Sequence, residues 1–407
     1  MIKRVSLLAL VVCLSLVLLS PSLVQARSGL TILDSSVEAE FPFNLSFNLS
    51  AESDVNITDI RLHYAVDQVS FAQVTSEAYI EFVPSTIVEA GWTWNMRKTG
   101  GLPPGANVEY WWTVEDAEGN RVETTPVRVQ FDDTRYSWGS LTEGNITIYW
   151  YEEDESFAQE IMSAAQQALA RLAENTGAQL EKPAKIYIYA NAQDLMGAMI
   201  YPQEWTGGAA FSRYGTIAIG IAPDNLYWGK RAIAHELAHL VIHQLTLNPY
   251  SGLPVWLDEG LAMNAEGTLE PGFATYLNQA IDENSLISVR SLSSPFSTDA
   301  KQARLSYAQS YSLVEFLISN YGQEKMLELL NTFKQGSSYG KALEKVYGFD
   351  MDGLDTLWQE YVTEQNRPTA VAVVWMHPAL IGVLSALAVV LLIWLGLTIK
   401  RRKQRQG

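Results

Sequence analysis

The run Ala232-Ile-Ala-His-Glu-Leu-Ala-His-Leu-Val-Ile-His243 holds three of the five histidines in the chain, spaced by four in an apolar stretch, with Glu236 beside the first. Spacing by four stacks side chains on one helix face, so this face gathers nitrogen ligands. Within it, His235-Glu236-Leu-Ala-His239 is an H-E-x-x-H pattern. On a helix, two imidazoles one turn apart can grip one zinc ion while the glutamate leans over the open side. Zinc lowers the pKa of a water to about 7, and a carboxylate alongside can take the proton as that water attacks a carbonyl. The implied chemistry is hydrolysis of an amide. His235 and His239 are the expected ligands, Glu236 the general base, Zn2+ the cofactor and a peptide or protein the substrate.

A third ligand is required. His243 fails on distance, because eight residues of helix rise about 12 Å, whereas two zinc-bound nitrogens each lie about 2 Å from the same metal. It is expected to be a core histidine or one that supports a ligand from behind. Downstream, Trp256-Leu-Asp-Glu-Gly-Leu-Ala262 follows a Pro/Gly-containing turn and opens another helical stretch, so the chain can fold back and present Glu259. HELAH followed by WLDEGLA resembles the gluzincin clan of zinc metallopeptidases, the aminopeptidase N-like and related peptidase MA-like families. In those families the third ligand is the glutamate of a W-L-x-E-G-x-A motif, which falls on Glu259, twenty positions after His239. Asp258 is a candidate to orient His235 or His239 through the free ring nitrogen.

The resemblance extends to Leu305-Ser-Tyr-Ala-Gln-Ser-Tyr311, which looks like the later helix of those enzymes, where a tyrosine hydrogen-bonds the developing oxyanion. Matched from its start, that residue is Tyr307, with Tyr311 one turn on as the reserve choice. One departure bears on the substrate. Aminopeptidases of the clan carry a Gly-x-Met-Glu-Asn strand whose glutamate holds the free amine. The corresponding stretch here, Gly207-Gly-Ala-Ala-Phe211, has no acidic residue, so endopeptidase and aminopeptidase action both stay open. The strand at 215–222 has small residues, Thr216, Ala218 and Gly220, on one face. They could form an edge for an extended peptide or a surface on which the zinc helix packs closely.

These residues need elements to hold them. Residues 156–176 have helical spacing ending at Gly177; 185–190 and 215–222 alternate as strands; helical patterns dominate from Lys230 to Asn366. A small sheet followed by helices is an α+β arrangement, and the resemblance implies a thermolysin-like zincin domain over 136–367. Ahead of it, 28–133 is strand-like: FNLSFNLSA, ITDIRLHYAV, YIEFVP, GWTWNMRKT, VEYWWTVED and VRVQF alternate apolar with polar between turn residues. Such short strands suggest an antiparallel β-sandwich, and Leu102 to Asn120 resembles a fibronectin type III or immunoglobulin-like hairpin.

The ends read as targeting segments. Lys3 and Arg4, an apolar run from Val5 to Leu19 and the small-residue pattern Val24-Gln25-Ala26 read as a signal peptide over 1–26. An uncharged run to Ile399 predicts a transmembrane helix over 375–399. The basic cluster after it, in 400–407, is expected to be a cytoplasmic tail, with the ectodomain outside the cell membrane. The only cysteine, Cys13, lies in the signal, so the mature chain has neither disulfides nor cysteine ligands. The formal charge of −17 disfavours nucleic acid and anionic membrane surfaces as partners. A second reading of the chain is a non-catalytic surface binding or adhesion protein that keeps a metallopeptidase fold.

Overall fold

Alternation in residues 44–66 switches phase partway along. The odd positions Leu45, Phe47, Leu49 and Ala51 are buried, then the even positions Ile60 and Leu62. Side chains of a strand alternate between faces, so a change of phase requires an irregular step, and the computed structural model has one between Ile57 and Asp59. The two segments expected as separate strands are therefore one 23-residue strand, β2 (Asn44–Val66), carrying a bulge. Its first half pairs antiparallel with β1 (Thr31–Glu40) and β4 (Ser85–Asn95), its second half with β3 (Ser76–Tyr79) and β5 (Ala106–Asp116). β5 also pairs with β6 (Arg121–Glu123) and β7 (Val127–Phe131). The ring of Phe47 in the first half lies 4.9 Å from Tyr110 of β5, and Trp92 of β4 lies 5.3 Å from Tyr64. The seven-stranded sheet thus folds over itself into two facing layers around one apolar core.

The structure describes residues 29–202 and 207–365. The signal peptide read over 1–26, the transmembrane helix over 375–399 and the tail over 400–407 lie outside them. Among the described residues no helix is long and apolar enough to cross a membrane.

A second sheet has five strands in the order β11 (Gly208–Phe211), β12 (Thr216–Gly220), β10 (Ala184–Tyr189), β9 (Ile146–Trp150), β8 (Gly139–Glu143). β12, β10 and β9 run parallel, with β11 and β8 antiparallel at the edges. On one face Ile148, Ile186, Ile188, Ile217 and Ile219 meet α1 (Glu155–Thr176) and α3 (Leu226–Thr246) through Ile161, Met162, Ile233 and Leu237. On the other face Tyr187, Tyr189 and Ala218 join the core of the first sheet. Two expectations for 215–222 are overturned here. β12 is an interior strand, and among the described residues the edge on that side of the sheet is β11. Its isoleucines, not the small residues, face the zinc-motif helix; a Cβ on Gly220 would strike the backbone of Asn191, on the opposite face.

α1 begins on Asp154, whose side chain accepts from the Ser156 and Phe157 amides, and ends at Gly177 with φ 73°. After α2 (Ala192–Met196) and α3 come α4 (Val255–Glu266), α5 (Pro271–Asp282), α6 (Val289–Leu292), α7 (Ala300–Lys334, broken at Gly322), α8 (Tyr339–Tyr347) and α9 (Met351–Gln365). Residues up to Trp358 form one compact unit; the described part of the other is the end of α9. The architecture is therefore α+β, with a β-rich N-terminal region and a mainly helical C-terminal region.

The packing of α4 on α7 sets the position of Glu259. A Cβ built on Gly260 would lie 2.3 Å from the Ser310 carbonyl oxygen and 2.6 Å from Val314 Cγ2, a contact that only glycine avoids. We therefore expect Gly260→Ala to reverse the usual preference for alanine in helices. Thermal unfolding should show a loss of about 1–3 kcal/mol, with reduced metal uptake; unchanged stability would mean that the two helices can separate freely.

Candidate active site

α3 presents His235, Glu236 and His239 beside Glu259 of α4, so the chain does fold back to bring the four residues together. His235 Nε2 lies 3.1 Å from His239 Nε2, and Glu259 Oε2 lies 3.4 Å and 3.7 Å from those two nitrogens. Ligands about 2.1 Å from one tetrahedral ion are about 3.4 Å apart. The spacing of this triad matches that set.

Electrostatics give a second test of the fit. His235 Nδ1 is 2.8 Å from Glu266 Oε1 and His239 Nδ1 is 3.0 Å from Asp258 Oδ1. Each carboxylate fixes the tautomer with hydrogen on Nδ1, which leaves both Nε2 lone pairs facing inward. Glu259 Oε2 is buried beside them without a hydrogen bond. Three acceptors aimed at one point repel each other unless a cation lies between them. The donor set, two imidazoles and a carboxylate, suits zinc.

The supporting shell was only partly legible. The candidate Asp258 serves His239, not His235. It is shared with His243, whose Nε2 lies 3.0 Å from Oδ1 and 2.9 Å from Oδ2, while His243 Nδ1 meets Ser212 Oγ at 2.9 Å. His243 is thus neither a ligand in the triad nor a core residue: it is partly exposed and pins Asp258 behind His239. His239, His243 and Asp258 are themselves close enough to hold an ion. However, their N···O separations are those of direct hydrogen bonds, and His239 would have to give both nitrogens. Burial alone would raise the Asp258 carboxyl, but the His239 and His243 imidazoles outweigh it and hold the group far below the usual carboxylate range.

The partner of His235 escaped sequence reasoning. Glu266 also accepts Arg231 Nη2 at 2.7 Å, and Arg231 Nε reaches Glu270 at 3.1 Å. The signal was present in spacing, since Arg231 precedes His235 by one turn and Glu266 follows Glu259 by two turns on one face. Glu236 and Tyr307 both line an open cleft of about 480 Å³ with His235, Gly208, Trp228 and Phe273. The carboxylate of Glu236 rests against Gly208, where a Cβ would come within 3.1 Å of Oε1. Burial, then the charges of Glu259, Glu236 and Glu266, push the Tyr307 phenol up to about 12, so it stays protonated at neutral pH. Tyr311, one turn on, is not among the residues lining that cleft; it lies beside Glu315, Arg231 and the backbone of Leu269.

Without metal, burial pulls the pKa of His235 down, but the carboxylates of Glu259 and Glu266 outweigh it and raise the group to about 10. Zinc must therefore displace a proton at neutral pH. Its apparent affinity should rise about tenfold per pH unit from about pH 7 to 9, measured by competition with a chelator of known affinity. A flat profile would mean that His235 is already bare.

Residues 164–364 match the family model of the Peptidase MA superfamily. No curated protein matches the sequence. Among solved structures, the chain is similar to the M1 zinc metallopeptidase of Deinococcus radiodurans at 12% identity and TM-score 0.36, covering 84% of this chain and 95% of that one. It is similar to Legionella pneumophila aminopeptidase A, solved with aspartic acid, at 11% identity and TM-score 0.35, over 82% of this chain and 50% of that chain. OgpA from Akkermansia muciniphila is similar at 8% identity and TM-score 0.21 over 28% of this chain, which spans only 31% of that one. The matched residues, 164–364, carry α3, α4 and α7, and with them all the candidate site residues, so the recognised segment is of the Peptidase MA superfamily.

Proposed function

We propose that the protein is an extracytoplasmic zinc metallopeptidase that hydrolyses peptide bonds. The observation that carries this reading is the convergence of His235 Nε2, His239 Nε2 and Glu259 Oε2 within 3.1–3.7 Å of one another, with the buried carboxylate oxygen otherwise unpartnered. A zinc ion held there would supply a water of lowered pKa and polarise the substrate carbonyl. Glu236, free of hydrogen bonds among the described residues, takes a proton from the attacking water and returns it to the leaving amine. Tyr307, kept neutral by burial and by three nearby carboxylates, donates a hydrogen bond to the oxygen that gains charge in the transition state. Glu266 and Asp258 hold the imidazoles in the ligating tautomer.

The setting is part of the same proposal. The N-terminal segment would be removed as a signal, the β-rich region at 28–133 would be an immunoglobulin or fibronectin III-like sandwich, and the peptidase domain at 136–367 would be thermolysin-like. The apolar run at 375–399 would anchor this ectodomain outside the cell, with 400–407 in the cytoplasm.

The test is zinc content together with hydrolysis of a broad pool of quenched peptides. The wild type should bind one zinc and cut; Glu236→Gln should keep the zinc and lose about 10²–10⁴-fold in rate. Equal rates in the two, at full zinc loading, would end the enzymatic reading. A finer check uses the contact between Gly208 and Glu236. Gly208→Val should displace the carboxylate and lower kcat by about tenfold or more without loss of zinc, whereas an unchanged kcat would remove Glu236 from the position assigned to it.

A further inference from the structure

The edge strand β11 hydrogen-bonds to β12 on one side only among the described residues, and its two ends adjoin two different cavities. Gly208, at its start, lies in the cleft with His235 and Glu236. Ser212 and Arg213, just past its end, line a second cavity of about 330 Å³ with His243 and Gln244. A third, of about 240 Å³, adjoins it, shares Arg213 and Gln244, and adds Lys182 and Lys185. β11 itself, Gly208–Phe211, is about 10 Å of extended chain, and the short 3-10 turn Ser212–Tyr214 that follows it carries Arg213. A peptide lying on the β11 edge with its scissile carbonyl at the metal therefore brings a side chain two to four residues away to Arg213.

The two ends differ in charge. Beside Gly208, Arg231 is already paired with Glu266 and Glu270. At the other end Arg213 is exposed and has no ionic partner among the described residues, and Gln244 Nε2 is buried without an acceptor while its Oε1 takes the Lys182 amide at 3.2 Å. Lys185 Nζ is bound to the Gly105 carbonyl at 2.7 Å. Asp67 lines the adjoining cavity, and the Asp258 carboxylate is satisfied by two histidines. A chain of net charge −17 thus places at this point a guanidinium without an ionic partner and an unused amide donor, both among the described residues, which together match a carboxylate.

We infer that the cavity at the end of β11 is a substrate subsite for an acidic side chain, with Arg213 as its selector and Gln244 as a second donor. This rests on the peptidase reading above and narrows it to peptides carrying Asp or Glu a few residues from the cleaved bond. It also disfavours a free amino terminus there, because Arg213 repels an ammonium group.

The test is a set of quenched peptides in which Glu, Gln or Lys is placed in turn at each of the four positions on either side of the scissile bond. The wild type should favour Glu over Gln at one position by about fivefold in kcat/KM, carried by KM and weakened by salt. Arg213→Ala should flatten the preference, Arg213→Glu should turn it toward Lys, and Gln244→Leu should reduce it. Zinc content separates a misfolded variant from a retuned one. Binding of the same peptides to the Glu236→Gln protein, followed by calorimetry, reads the subsite without turnover. Discrimination there with no cleavage by zinc-loaded wild type would sink the enzymatic reading and leave the subsite standing. A preference that survives Arg213→Glu, or none in either assay, overturns the inference.

Discussion

Three electron pairs from two helices converge at one buried point, where they repel one another unless a positive charge lies between them. Two imidazole nitrogens and a carboxylate oxygen within 3.7 Å form an arrangement that a folded chain tolerates only with positive charge at its centre, a proton or a metal ion. The surrounding structure holds that arrangement in place. α3 is fixed by the isoleucine face of the second sheet, α4 by the close contact of Gly260 with α7, and each imidazole by a carboxylate from behind.

The two supporting carboxylates are built differently. Glu266 belongs to a chain of alternating charge, His235 to Glu266 to Arg231 to Glu270, which ends at the open cleft. Asp258 is enclosed between two histidines and reaches, through His243, the hydroxyl of Ser212 beside the edge strand. One imidazole is thus tied to the rim of the cleft and the other to the end of β11. Loss of either carboxylate frees an imidazole to rotate or to change tautomer.

How much of this could be read in advance depended on the range of the interactions. The H-E-x-x-H helix, the glutamate twenty residues on and α1 with its Gly177 cap declare themselves through local spacing, and the structure places them as expected. What escaped is set by tertiary contact. That β12 is interior and β11 the edge follows from strand order, which five-residue strands do not encode. The fusion of two expected strands into β2 depends on a bulge that alternation registers only as a change of phase. Tyr307 and Tyr311 look alike in sequence and share one face of α7, and only the tertiary packing sets Tyr307 in the cleft with Glu236 and Tyr311 one turn on, beside Glu315 and Leu269. Glu266 stood at a readable helical interval from Glu259, but its role required knowing which side of α4 faces α3.

The second sheet is shared property. Its helix-facing side belongs to the zinc motif, and its other side, through Tyr187, Tyr189 and Ala218, is roofed by the N-terminal strands. Cutting the chain near Tyr136 would strip an aromatic wall bare and leave it seeking any greasy neighbour. The strands between Thr31 and Phe131 are therefore structural insulation for the sheet that carries the candidate site.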